Sequence, residues 1–276
     1  MKKYEFTGET KEYGEITLKR IKRIGDNLIG GWIEKESNLS QEGVCFVYGD
    51  AKVFGDAEVY GGAEVFGDAE VYDNAEVYGN AKVYGDAVVY GSAVVYGSTK
   101  VLGCASAYDN TMVYGNTVIC DNAIVYGCAK ICDDAVVYGD ARVYGDAIIC
   151  QNARVYGDAR VYNDAEIYGD ARVYGDAEIY GDARVYGDAE VYGDAILNEG
   201  KHIGKIRVQH DKVLYVQCTQ RMMTLYLKDN TFYCNIGCQK DMTYEDLLRR
   251  IEKDGGMKPH RQEYVNIMKA SKILLG

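Results

Sequence analysis

Over more than half of the chain, two positions in every six are apolar and flank a variable one. From Ala51 the sequence reads AKVFGD, AEVYGG, AEVFGD, AEVYDN and continues unbroken to AILNEG at Gly200, 25 hexads in all. Position one is Ala in 22 hexads and Thr in three (Thr99, Thr111, Thr117), and position three is nearly always Val or Ile. An apolar–variable–apolar triplet is the period-two mark of a strand with one buried face. A small residue followed by a β-branched one suits a narrow core. Position five is Gly in 18 hexads and is otherwise filled mainly by Asp73, Asp109, Asp121, Asp133 and Asn163. These residues tolerate left-handed backbone. Each hexad therefore predicts a very short strand closed by a tight turn. A strand of this size cannot bury its apolar face alone and must stack on copies of itself.

The flanks have a different pattern. Residues 1–46 hold β-rich pieces, YEFTGE, ITLKRIKRI and NLIGGWIEKE, separated by Gly, Asp and Asn. They predict a small antiparallel cap that runs into the first coil, with Trp32 over its end. Residues 201–276 predict a small α+β module. Its strands are expected at KIRVQ, KVLYVQC, TLYLKD and TFYCNIG, with a hairpin turn at Asp229-Asn230. MTYEDLLRRIEKDGG then predicts a helix with Thr243 as N-cap and Gly255 as stop, and HRQEYVNIMKASKILL a second helix. The expected organisation is an N-terminal β cap (1–46), a repeat solenoid (47–200) and a C-terminal α+β module (201–276).

The hexads, with an aliphatic residue such as Val53 followed four positions later by a small one such as Ala57, closely resemble the hexapeptide-repeat, left-handed parallel β-helix superfamily. The resemblance covers residues 47–200. It implies a mainly β fold in which three hexads make one triangular coil, giving about eight coils and roughly 40 Å of rod at one strand spacing per coil. It also implies side-by-side homo-oligomers, trimers above dimers. The whole arrangement is similar to a group of bacterial and phage-encoded hexapeptide-repeat proteins. The shared pieces are GGWIEKESNLSQEG before the repeat and Gly237-Cys238, Thr243, Glu245, Leu248 and Tyr264 after it. Members of that group are often labelled transferases on fold alone.

The residue inventory argues against that activity. Acyltransferases on this fold use a His as general base and an extra loop for the acyl donor, and its carbonic anhydrases need three His zinc ligands. The hexads contain no His and no insertion. His202, His210 and His260 all follow them. No catalytic residue, metal ligand set or cofactor is therefore expected. Cys128 and Cys132 have a metal-like gap but occupy different repeat positions, and Cys234 and Cys238 lack two further ligands. The N-terminus has no apolar signal region and no stretch is long enough to span a membrane, which leads to the expectation of a cytoplasmic protein. The nine cysteines are then expected to be reduced thiols.

Charge and the 18-residue coil supply the candidate surfaces. Residues 51–200 carry 9 Lys and Arg against 25 Asp and Glu, a net −16, while residues 201–276 carry 14 against 8, a net +6. An acidic rod repels nucleic acid and suits a protein partner. At position four, Tyr72, Tyr90, Tyr108, Tyr126, Tyr144, Tyr162 and Tyr180 should form one aromatic column, either a brace for the strands or a flat platform for a ligand. At position six, Asp140, Asp158, Asp176 and Asp194 form an acidic column, where Asp commonly accepts turn N–H groups. At position two, charges of opposite sign fall 18 apart: Lys52 with Glu70, Glu64 with Lys82, Glu166 with Arg184, Arg160 with Glu178, Arg172 with Glu190. In the middle coils position two turns apolar at Val88, Val94, Met112, Val118, Ile124, Val136 and Ile148, a candidate homo-oligomer interface. The function expected is a non-enzymatic binding or assembly scaffold, in a phage setting an inhibitor of a host defence component. The alternatives are an acyltransferase with an intersubunit site and a protein that captures a small ligand such as a nucleotide.

Overall fold

The chain forms a three-sided parallel β-solenoid of about nine turns. The computed structural model describes residues 2–193 and 195–197, and beyond these residues 201–203, 207–208, 213–217, 222–228, 231–236, 239–253, 261–262 and 264–266. Most hexads place positions two and three in a two-residue strand, as at Arg154–Val155, and the next four residues turn a corner; at Glu64–Gly67 and Lys82–Gly85 the strand runs on to position five. Strands 18 residues apart pair in parallel and in register, so Val155 lies between Val137 and Val173. The backbone ladder has an offset of 17. Tyr156 N–H donates to the carbonyl of Val173 at 2.9 Å, and Arg154 N–H to that of Ala171 at 2.9 Å.

Three sheets result. The first face runs from Lys52–Val53 to Ile196–Leu197, the second from Glu58–Val59 to Lys201–Ile203, and the third from Phe46–Val47 to Arg207–Val208. Every residue at positions one and three from Ala51 to Leu197 is fully buried. Alanine at position one fits the corners, where three walls converge, and Val or Ile at position three fills the centre. Position five has positive φ throughout, at each Gly from Gly55 to Gly193 and at Asp73, Asp109, Asp121, Asp133 and Asn163. Gln151 adopts it too, at φ 61°. At Gly115 a Cβ would lie 2.6 Å from the Asp133 carbonyl oxygen, so coils this closely stacked favour glycine at that corner.

The N-terminal cap forms as the sequence implies. β1 (Tyr4–Tyr13), β2 (Ile16–Arg23) and β3 (Ile29–Ile33) make an antiparallel meander, and β3 then pairs in parallel with Lys52–Val53. Trp32 is only 8% exposed. The Arg20 guanidinium lies 4.8 Å above its ring, and its indole N–H donates to Asp50 at 3.4 Å. Tyr13 closes the first-face aromatic column by standing edge-on to Phe54, while its hydroxyl donates to Glu70 at 2.8 Å.

At the other end, sheet pairing runs on past the last hexad. Lys201–Ile203 pairs with Arg184–Tyr186, and Arg207–Val208 with Glu190–Val191, each at an offset of 17 rather than 18. Of KIRVQ, the described Arg207–Val208 is thus a solenoid strand and not part of the terminal module's sheet. The module's sheet is Val213–Gln217, Met222–Lys228, Thr231–Ile236 and Gln239–Met242, all antiparallel. The last strand, QKDM, is too polar to stand out by propensity. α1 (Tyr244–Lys253) starts with a reciprocal cap. Asp246 N–H donates to Thr243 Oγ1 and Thr243 N–H to Asp246 Oδ2, both at 3.2 Å. Its inner face buries Leu247 and Ile251. Of the second helix, residues 261–262 and 264–266 are helical. Asp229-Asn230, Gly237-Cys238, Gly255, His210 and His260 lie outside the described residues.

Candidate functional site

The outward side chains occupy a few columns, each repeating at every coil. On the first face, Phe54, Tyr72, Tyr90, Tyr108, Tyr126, Tyr144, Tyr162 and Tyr180 stack without a gap. Their centroids are 4.6–5.1 Å apart and their planes within 1–13° of parallel. Face-to-face stacking decides what this column can offer. Each ring face is covered by its neighbours, so solvent meets ring edges and hydroxyls. The column braces the coils and presents a row of phenols; it is not a flat aromatic plate. Burial pushes the Tyr72 and Tyr162 phenols up to about 12, with help from neighbouring acids and rings. These phenols therefore stay protonated at neutral pH.

All five position-two pairs form. Lys52–Glu70 is 2.8 Å and largely buried beneath Tyr13, while Lys82–Glu64 is 2.5 Å, Arg160–Glu178 3.0 Å, Arg184–Glu166 3.3 Å and Arg172–Glu190 3.8 Å. The last four are partly exposed at the rod surface and contribute little to stability individually. Their effect is on the surface potential, because they neutralise cations within the rod.

The acidic corners are left. Asp140, Asp158 and Asp176 are exposed and aligned along the corner between the third and first faces. Asp146, Asp164 and Asp182 line the next corner. Asp194 lies outside the described residues. The turn N–H groups bond elsewhere than expected: position-five Asp accepts them, as when Gly127 N–H donates to Asp109 Oδ2 at 3.2 Å and Gly139 N–H to Asp121 Oδ2 at 3.1 Å. A position-five side chain in left-handed backbone points along the rod at the next coil, whereas position six points outward. Asp140 instead accepts from the Asn122 amide at 3.0 Å.

The apolar position-two residues are half-buried, and they wrap the rod. Val88 and Ile124 are on the first face, Val94, Met112 and Ile148 on the second, Val118 and Val136 on the third. An open recess of about 420 Å³ at the N-terminal end lies between Glu36, Ser40, Glu58 and Tyr60. Its two carboxylates make it a poor seat for a phosphate.

A family model described as the YdcK beta solenoid repeat matches residues 81–97, 135–151, 153–166 and 177–193, all within these coils. The chain is a parallel β-solenoid repeat protein. No curated protein matches it. Among its described residues, no helix is long and apolar enough to cross a membrane.

One feature of this β-solenoid repeat protein escaped the sequence reading. Cys132 and Cys150 lie in one column of the second face and are joined by a disulfide, with Cα atoms 4.6 Å apart. The expectation of reduced thiols throughout is corrected at this pair. The 18-residue spacing that aligns the tyrosines also aligns these two cysteines, whereas the short Cys128–Cys132 gap joins different repeat positions. Cys128 is exposed and Cys132 nearly buried, so those two do point apart.

Proposed function

We propose that this chain is a non-enzymatic binding and assembly protein, a hexapeptide-repeat left-handed β-helix whose acidic corners dock a basic protein partner. The observation that carries this reading is the alignment of Asp140, Asp158 and Asp176 on coils whose Arg160, Arg172 and Arg184 are already paired with Glu. With the exposed Arg142 and Arg154 counted, residues 135–188 still carry 10 Asp and Glu against 5 Arg, and the acidic columns repeat at each coil, about 4.8 Å apart. Such a column steers a partner rich in Lys and Arg and weakens with salt, because screening acts over about 8 Å at physiological ionic strength. Self-association through the apolar band belongs to the same reading, as a trimer or a dimer. A single face supplies only two or three of the seven apolar residues, so such contacts would be modest. If the chain comes from a phage or prophage, the partner would be a host component.

The test is affinity capture from host lysate with the tagged full chain, with mass spectrometry of bound proteins and released small molecules. The expected result is a stoichiometric basic protein that elutes with rising salt and is lost when Asp140, Asp158 and Asp176 are all changed to Asn. A nucleotide or acyl-CoA released with no protein partner contradicts the reading, as does a partner indifferent to the triple substitution.

A further inference from the structure

The second-face column at position four reads Tyr60, Tyr78, Tyr96, Tyr114, Cys132, Cys150, Tyr168, Tyr186. Rings stack on both sides of the pair, Tyr96 on Tyr114 at 5.1 Å and Tyr168 on Tyr186 at 5.2 Å. Two consecutive rings are thus replaced by two cysteine side chains. Of the five solenoid cysteines only these two share a column; Cys104, Cys120 and Cys128 stand apart as free thiols. Cys132 is 4% exposed and Cys150 is half-buried.

A third donor stands at the same corner. Asp133 follows Cys132 in left-handed backbone at φ 60°, which turns its exposed side chain along the rod towards the next coil. The N–H of Gln151 donates to its Oδ2 at 3.2 Å and so orients the carboxylate. The two sulfurs and a carboxylate oxygen all lie within 4.8 Å of one another.

We propose that in the reduced protein Cys132, Cys150 and Asp133 bind a thiophilic divalent cation of the zinc class, and that the disulfide is the oxidised, metal-free form of the same site. Zinc–sulfur bonds of about 2.3 Å and zinc–oxygen bonds of about 2.0–2.2 Å place tetrahedral ligand atoms roughly 3.3–3.8 Å apart. The three donor atoms lie within 4.8 Å of one another, close to that spacing. The fourth position faces solvent and takes water. Thiolates are the ligands, so binding displaces one proton from each cysteine. Oxidation passes two electrons and two protons from the thiols to a low-molecular-weight disulfide, which becomes two thiols as the Cys132–Cys150 bond forms. Metal and disulfide therefore exclude each other, and a thiol reductant converts one form to the other. The proposal is independent of the partner reading.

The test is a titration of full-length protein, reduced with a phosphine, with Cd²⁺ as the probe, followed by the ultraviolet sulfur-to-metal charge-transfer band. The expected result is one equivalent bound per chain. Cys132→Ser and Cys150→Ser should each abolish that equivalent, while Cys120→Ser and Cys128→Ser leave it intact. Asp133→Asn removes a direct anionic ligand and should weaken it by at least the roughly tenfold that losing an outer-shell carboxylate costs. Prior oxidation with glutathione disulfide should prevent binding and remove two thiols from the count in denaturant. Cys132 is nearly buried, so the half-buried Cys150 provides the variant that keeps the fold, verified by circular dichroism. A band that is absent from the reduced wild type, or that survives Cys150→Ser, overturns the proposal. So does unchanged affinity in Asp133→Asn.

Discussion

Val155→Asp is expected to abolish cooperative folding of the C-terminal half of the rod, while Arg154→Asp, one residue away, leaves thermal unfolding nearly unchanged. Val155 is fully buried between Val137 and Val173, with Ala153 and Ala159 closing the corners of its coil. A carboxyl group there finds only aliphatic neighbours, since the backbone N–H and carbonyl groups around it are already paired in the ladder. An unpaired buried polar group costs several kcal/mol, and a charged one more. That is a large part of the 5–15 kcal/mol available to an ordinary folded domain. A solenoid also transmits the defect, because each coil is held by its two neighbours. Arg154 is exposed, so Arg154→Asp changes only surface charge. Equal effects from the two substitutions, read by circular dichroism on heating, would refute the assignment of position three to the core.

Ile149→Ala is expected to cost about 2–5 kcal/mol, against less than about 1 kcal/mol for Ile148→Ala. The two residues are chemically identical neighbours and differ only in direction. Ile149 is fully buried, in register with Ile131 and Ile167, so truncation opens a cavity in a column of isoleucines. The walls of a stacked ladder cannot collapse into that space without breaking the register, which places the cost towards the upper end. Ile148 is half-buried between Lys130 and Glu166, and its loss removes only partial contact. Urea unfolding of the two variants measures the difference directly. A cost for Ile148→Ala matching that of Ile149→Ala contradicts the period-two reading.

Much of this architecture was legible because each hexad repeats the same local decision. Small at position one, β-branched at three and Gly or Asp at five give the strand, the core and the corner, and one spacing of 18 then aligns every column. The Tyr72-to-Tyr180 ladder and all five charge pairs follow from that single number. What was not legible depends on direction within a coil or on departures from the repeat. The spacing aligned the rings but not the orientation of their planes, which turns a candidate platform into a brace. It grouped Asp140 with Asp158 but did not reveal that Asp109 and Asp121, one position earlier, take the backbone N–H groups. The 17-residue offset at Lys201 and Arg207 broke the pattern, so KIRVQ read as part of the next module. Cys132 and Cys150 are 18 residues apart and meet only through the coil, so nothing local along the chain marks them as a pair.

The most direct test of the account is to remove one coil. Deleting residues 153–170 takes out three hexads and returns Ala171 to the place of Ala153, with Arg142 now above Glu178. Deleting only residues 168–170 removes one corner, Tyr-Gly-Asp, and leaves the Glu166–Ile167 strand without the turn that leads into the next hexad. Thermal unfolding of both variants, followed by circular dichroism, should show the whole-coil deletion cooperative and within a few degrees of the parent, roughly as expected when stability is a sum over neighbouring repeats. The three-residue deletion should be far less stable. The opposite order, with the smaller deletion tolerated and the whole coil indispensable, would contradict a solenoid built in units of 18.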